Sequence, residues 1–171
     1  MDLVSAKVPP ASDTLNDRAL DAAMKYVAAQ GVTAVHHMGT WDDLGVFERA
    51  WRARRLSTRI YAAVPLGSWA RLRDAVAAKR FGPLDGAQRG SDGRGDAWLG
   101  VGALKGFVDG SLGSHTAAFQ EPFTDAAAFA NATAGEAADR GLFVTPPEDL
   151  YSWISGADKA GLHVVVHAIG D

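Results

Sequence analysis

Two short apolar runs each carry a polar side chain where a buried strand rarely has one. The first, Leu104–Ser114, reads Leu-Lys-Gly-Phe-Val-Asp-Gly-Ser-Leu-Gly-Ser, and the second, Leu162–Asp171, reads Leu-His-Val-Val-Val-His-Ala-Ile-Gly-Asp. A lysine inside a buried strand must be paired, modified or neutral, because burial strips its ammonium of water. Side chains alternate along a strand, so Lys105, Phe107 and Asp109 share one face of the first run. By the same rule His163, Val165 and His167 share one face of the second. If those faces look into one site, Lys105, Asp109 and His167 converge there. A neutral imidazole at a strand end is a good metal ligand. Beside a divalent cation a lysine is repelled as ammonium, but accepted when neutral or when CO₂ has made it an anionic carbamate. A carbamate oxygen could bridge two metals and help form hydroxide from water.

Each residue also has a plain structural reading. Lys105 alone fits a partly exposed strand lysine, His163 fits packing, and Asp109 fits the start of the turn at Gly110. His36 and His37 point to opposite faces of their strand, so they are no ligand doublet. Arg94-Gly95-Asp96 and the sequon at Asn131 read as chance matches. Gly100-x-Gly102 is followed by Lys105 where a dinucleotide fingerprint wants glycine, which leaves a nucleotide site unsupported.

These residues need strands to carry them and helices to cover the strands. Asp13 or Thr14 is expected to cap a helix running to about Gln30, with Leu15, Ala19, Ala22, Ala23, Tyr26 and Val27 as its apolar stripe and Gly31 as its stop. Val32–His37 reads as a strand. Asp42 or Asp43 opens a helix with Leu44, Phe47, Trp51 and Leu56 on one face. Arg59–Leu66 is a second strand and Trp69–Arg80 a third helix. Phe81–Ala97 is a polar, Gly-rich loop. Trp98–Asp109 holds a third strand, and Gly110–Thr145 a long loop of active-site type with a helical piece near Asp125–Ala130. Pro146–Ala160, capped by Thr145 and stopped by Gly161, is a fourth helix, and Leu162–His167 a fourth strand. The arginines at 49, 52, 54, 55 and 59 read as a solvated helix face and its edge.

Strands alternating with helices predict an α/β fold with a parallel sheet. Four such units make half of a (β/α)₈ barrel or a small open sheet. Residues 1–171 are read as a single domain with loop insertions at about 81–97 and 110–145. The order begins in a helix and stops just after a strand, which predicts a piece of something longer.

Hydrophobic residues make up 47% of the 171-residue chain and charged residues 22%, the balance of a globular domain with a real core. A net charge of −3 gives no reason to expect nucleic acid or an anionic membrane as partner. The chain has no cysteine, which excludes disulfides and thiolate metal sites and fits a reducing compartment. No apolar run is long enough for a membrane helix, and the N-terminus lacks the apolar core of a signal peptide. The expected location is cytoplasmic.

The strings Gly31-Val-Thr-Ala-Val-His-His-Met-Gly39, Arg59-Ile-Tyr-Ala-Ala-Val-Pro-Leu66, Leu104-Lys-Gly-Phe-Val-Asp-Gly-Ser-Leu-Gly-Ser-His-Thr-Ala117 and Val166-His-Ala-Ile-Gly-Asp171 occur in an order and spacing that is similar to one family. The chain resembles the YtcJ-like branch of the metal-dependent amidohydrolases, the branch that includes N-substituted formamide deformylase. The resemblance implies strands two to five of a (β/α)₈ (TIM) barrel. It implies that Lys105 is carboxylated and bridges metals, and that His167 is a metal ligand. It implies that Asp109, Ser111 and the loop through His115 to Thr116 line the substrate pocket. The implied cofactor is one or two divalent ions, zinc first and manganese or iron next. The implied reaction is hydrolysis of a non-peptide, amide-type carbon–nitrogen bond in a small molecule by metal-activated water. His37 stands where this family usually has Asp, and His115 where it usually has Arg. The family's His-x-His pair is absent from the chain, as are its later histidine and aspartate ligands. The chain is therefore expected to be inactive, or nearly so, by itself.

Two other readings stay open. One is a non-catalytic α/β module whose copies could close a barrel as a homodimer. The other is a small enzyme with Lys105 as a Schiff-base nucleophile.

Overall fold

Hydroxyls, not acids, start the first two helices. The computed structural model describes residues 7–78, 98–124 and 139–171. Helix α1, Asp13–Ala29, is capped by Ser12, whose side chain accepts from the Leu15 N–H at 3.2 Å. Helix α2, Trp41–Arg52, is capped by Thr40 in a reciprocal box. The Thr40 hydroxyl accepts from the Asp43 N–H at 3.3 Å, and the Asp43 carboxylate accepts from the Thr40 N–H at 2.8 Å. The expected caps Asp13, Thr14, Asp42 and Asp43 are thus corrected by one to three positions. Asp13, Asp42 and Asp43 fall instead in the first helical turns, where the helix dipole favours negative charge. Thr40→Ala is expected to cost about 1 kcal/mol in chemical denaturation. A loss indistinguishable from zero would show that the box adds nothing.

Helix α3, Trp69–Ala77, follows a single 3₁₀ turn at Leu66–Ser68, and helix α4 spans Pro147–Lys159. Thr145 does not cap α4: Pro146 holds the cap position without a side-chain bond. Pro147 in the first turn has no N–H to satisfy, so the start needs less capping. Gly31 and Gly161 close α1 and α4 at φ +78° and +69°, the left-handed stops expected of them.

The strands are β1 (Ala34–Met38), β2 (Arg59–Pro65), β3 (Leu99–Phe107) and β4 (His163–His167). They form one sheet in the order β1-β2-β3-β4. β1 and β2 run parallel from Ala34 opposite Arg59 to Met38 opposite Ala63. β3 and β4 run parallel from Ala103 opposite His163 to Phe107 opposite His167. The expected alternation of strand and helix is what the chain folds into, with strand ends shifted by one or two residues. The loop expected at 81–97, the helical piece at Asp125–Ala130 and the matches at Arg94 and Asn131 lie outside the described residues.

The chain divides into two compact units, Met1–Ala63 with Phe81–Val101, and Val64–Arg80 with Gly102–Asp171. In the first, α1 packs on α2. The buried line of α1 is Leu20 and Met24, one turn apart, and the expected stripe is rotated: Leu15 is 54% and Tyr26 69% exposed. Leu44, Val46, Phe47 and Ala50 of α2 and Ile60 and Ala62 of β2 complete this core. The arginines do more than face solvent. Arg49 pairs with Asp13 and Asp17 at 3.2 and 3.0 Å, and Arg55 with Asp17 and Asp21 at 3.4 and 2.5 Å. This ladder joins α1 to α2. Each such surface pair is worth at most about 1 kcal/mol, so apolar contact dominates the packing. His36 and His37 do point to opposite faces of β1, the first exposed beside Tyr61 and the second half-buried against Phe47.

In the second unit α4 packs on α3 and β4. Leu72 of α3 and Leu104 of β3 have no exposed surface, and Leu66, Ala103 and Ala157 are buried with them. Each such leucine contributes about 1.5–3 kcal/mol. This core fixes the two strands that carry Lys105 and His167.

Candidate active site

β3 is buried along most of its length, and Lys105 is its half-buried interruption. Lys105 stands opposite Val165, and Phe107 opposite His167. Neighbours in register point the same way, so Lys105 and His167 share one face two residues apart. Phe107 lies with them. The Lys105 Nζ is 4.5 Å from the Phe107 ring centroid, and the Phe107 and His167 rings are 5.5 Å apart. His167 Nε2 lies 2.6 Å from the Gly110 carbonyl oxygen. A carbonyl only accepts, so Nε2 carries the hydrogen, and in the neutral ring Nδ1 keeps the lone pair. That bond orients the ring and fixes which nitrogen can bind a cation.

The alternation does not carry on to Asp109, because β3 ends at Phe107. Asp109 turns inward and is 2% exposed. Its Oδ2 accepts from the Ala118 N–H at 2.9 Å and the Gly170 N–H at 2.7 Å, and its Oδ1 from the Ile169 N–H at 3.0 Å. The bond from Ala118, against the opposing cost of burial and with help from Gly170, Ile169 and the nearby His167, holds its carboxyl below the usual carboxylate range. Asp109 thus ties the loop after β3 to the segment after β4. Asp171 adds a second tie, its Oδ1 accepting from the Gln120 N–H at 2.7 Å.

The other expected pocket residues lie in the loop after β3. The hydroxyls of Ser111 and Ser114 are 2.8 Å apart and those of Ser114 and Thr116 are 2.7 Å apart, while Thr116 Oγ1 accepts from the Ser111 N–H at 2.9 Å. This row closes a turn whose tip is a 3₁₀ turn at Leu112–Ser114. His115 ends that turn at φ 54°. Its ring stacks on Phe123 with centroids 4.4 Å apart, and its Nδ1 lies 3.6 Å from an Asp139 carboxylate oxygen. Further along, the loop pinches into a neck. The Phe119 N–H donates to the Arg140 carbonyl, Phe123 to Asp139 and Val144 to Val108, and Asp109 bridges Phe143 in antiparallel fashion.

The structure therefore brings Lys105 and His167 to one face, buries Asp109 beneath the loops, and places Ser111 and His115 in the loop above it. Reading the sequence alone put Thr116 in the pocket loop without its bond to Ser111, and gave Gly170 no contact. The glycine next to the terminal Asp was the available signal. Among the described residues, no group of three or more His, Asp or Glu is placed to hold a metal ion. Among them, too, no helix is long and apolar enough to cross a membrane.

A model of the amidohydrolase family matches residues 1–171. Over 182 residues the chain is 34% identical to Protein LONG AFTER FAR-RED 3 of Arabidopsis thaliana, covering 100% of this chain and 27% of that protein. It is 30% identical over 179 residues to the putative amidohydrolase YtcJ of Bacillus subtilis strain 168, covering 99% and 28%. Two crystal structures of metal-dependent hydrolases are similar at 25% identity. The one from Pyrococcus horikoshii OT3 has a TM-score of 0.69 over 94% of this chain and 29% of its own. The one from Pyrococcus furiosus has a TM-score of 0.70 over 99% and 31%. The chain spans less than a third of the length of these curated relatives. The expected α/β fold, part of a (β/α)₈ barrel, is the fold it shares with these hydrolases.

Proposed function

This chain belongs to the amidohydrolase family, and from that premise we propose that it serves the metal-dependent hydrolysis of a non-peptide carbon–nitrogen bond, of amide or formamide type, in a small molecule. The observation that carries the proposal is the pairing of Lys105 and His167 on one face of β3 and β4, with the Gly110 carbonyl leaving Nδ1 of His167 free to bind. These donors suit a divalent ion in part. An imidazole nitrogen and a carboxylated lysine are both ligands of the right chemistry, zinc first, with manganese or iron as alternatives. They are two ligands, and among the described residues no larger group joins them. A divalent ion bound there supplies Lewis-acid activation of water and of the substrate carbonyl.

The chain's own residues then have distinct tasks. Lys105, as a carbamate, presents anionic oxygen. His167 presents Nδ1 in an orientation held by Gly110. Asp109 holds the loop that carries Ser111 and His115, and that loop faces the leaving amine or acyl group. In a purified chain, ¹³C-labelled bicarbonate with excess zinc is expected to give a carbamate signal that Lys105→Ala removes. Metal affinity should fall at least about tenfold in both Lys105→Ala and His167→Ala. Zinc uptake indifferent to both substitutions, with no carbamate signal, would overturn the reading. Hydrolysis of N-formyl and N-acyl amines by the chain by itself is expected to be slow or undetectable, since two ligands seldom retain a catalytic metal.

A further inference from the structure

We propose that the first compact unit carries a second binding site, a pocket for a small uncharged amphiphile with a one-ring apolar body and a hydroxyl group. The cavity lies beneath α1, between that helix, α2 and the β1-β2 pair, and has a volume of about 310 Å³. Met24, Val35, Phe47 and Ile60 give it apolar walls, and Thr58 and His37 give it polar points. This size sits at the small end of ligand sites, and apolar walls with a few polar groups are their usual composition.

The observation that points to a ligand is Thr58. It is 1% exposed, and its Oγ1 is buried with no hydrogen-bond partner. Buried hydroxyls are nearly always bonded, because one left unbonded loses its water without replacement. A ligand hydroxyl placed beside Thr58 answers that deficit, since each hydroxyl both donates and accepts. The wall also sets the charge of the guest. Among the described residues no lysine or arginine lines the cavity, and Asp43, the one carboxylate among them, already accepts from the Thr40 N–H and hydroxyl at the α2 cap. An anion finds no counter-charge among these residues, and a cation would compete with the helix cap. Neither Lys105 nor His167 is among the described residues that line the cavity.

Benzyl alcohol and toluene are matched probes, alike in shape and different in the hydroxyl. In amide NMR titrations of the purified chain, benzyl alcohol is expected to shift resonances around Thr58, Val35 and Phe47, and to bind more tightly than toluene. Thr58→Val keeps the shape and removes the hydroxyl. It should weaken benzyl alcohol about tenfold and leave toluene unchanged. Ala23→Leu extends a side chain into the cavity from an exposed position on α1, and should abolish binding of both probes. Free of ligand, Thr58→Val should unfold at the same or a higher temperature than the parent, because it discards an unbonded hydroxyl. No perturbation by either probe, or binding that survives Ala23→Leu, would overturn the proposal. So would a lower unfolding temperature for Thr58→Val, which would show that the hydroxyl is already bonded.

Discussion

Asp109→Asn is expected to lower the thermal unfolding midpoint at pH 7 by about 5–10 °C. The carboxylate accepts three backbone N–H groups, from Ala118, Ile169 and Gly170, at a buried site. Asparagine has one acceptor oxygen, and its amide hydrogens must face at least one of those donors. Hydrogen bonds to a charged acceptor are also stronger than neutral ones. The effect should depend on pH in a defined direction. The folded carboxyl titrates below its ordinary value of 3.8. A depressed value means that the ionised group stabilises the fold above the unfolded pKa, and that this stabilisation fades as pH falls through the folded value. The difference between parent and Asp109→Asn should therefore be full at neutral pH and shrink below about pH 4. Melting curves from pH 7 to pH 3 check this. Equal midpoints at pH 7, or a difference that stays constant on acidification, would contradict the anchoring role.

Gly170→Ala is expected to cost at least about 3 kcal/mol, because no side chain fits between Gly170 and Ala118. A Cβ there would lie 1.7 Å from the Ala118 carbonyl oxygen and 2.6 Å from its carbon. Both are backbone atoms and cannot swing aside. Relief requires the two loops to part, which also breaks the bond from the Gly170 N–H to Asp109. Gly113→Ala is the matched control, since nothing lies within 4 Å of its added carbon. Urea denaturation of the two variants, with hydrogen exchange at the Ala118 and Gly170 amides, separates the outcomes. A cost for Gly170→Ala as small as that of Gly113→Ala would show that the junction yields freely.

The element order was legible because apolar runs with strand and helix periods are local signals. The shared face of Lys105 and His167 followed from period two within each strand, but their register had to come from the pairing of β3 with β4. Asp109 was misplaced for a physical reason: alternation holds only while the backbone stays extended, and nothing local says that β3 stops at Phe107. The contact between Gly170 and Ala118 joins residues far apart in sequence, so the glycine reads only as a turn. The Arg49 and Arg55 ladder likewise depends on where α1 lies against α2. The Thr40-Trp-Asp-Asp43 box was readable in principle, since its hydroxyl and acid stand at the capping interval. The two acids beside it drew the boundary inward.

The neck that closes the loop after β3 separates two kinds of change. Its rungs from Phe119 to Arg140 and from Phe123 to Asp139, with Asp109 against Phe143, seal the chain's return before it reaches the strands. Those rungs are main-chain bonds, so they are indifferent to side-chain identity, and the residue that removes one is proline, which has no N–H to give. Exchange of Phe119 or Phe123 for any residue but proline keeps the donor of its rung.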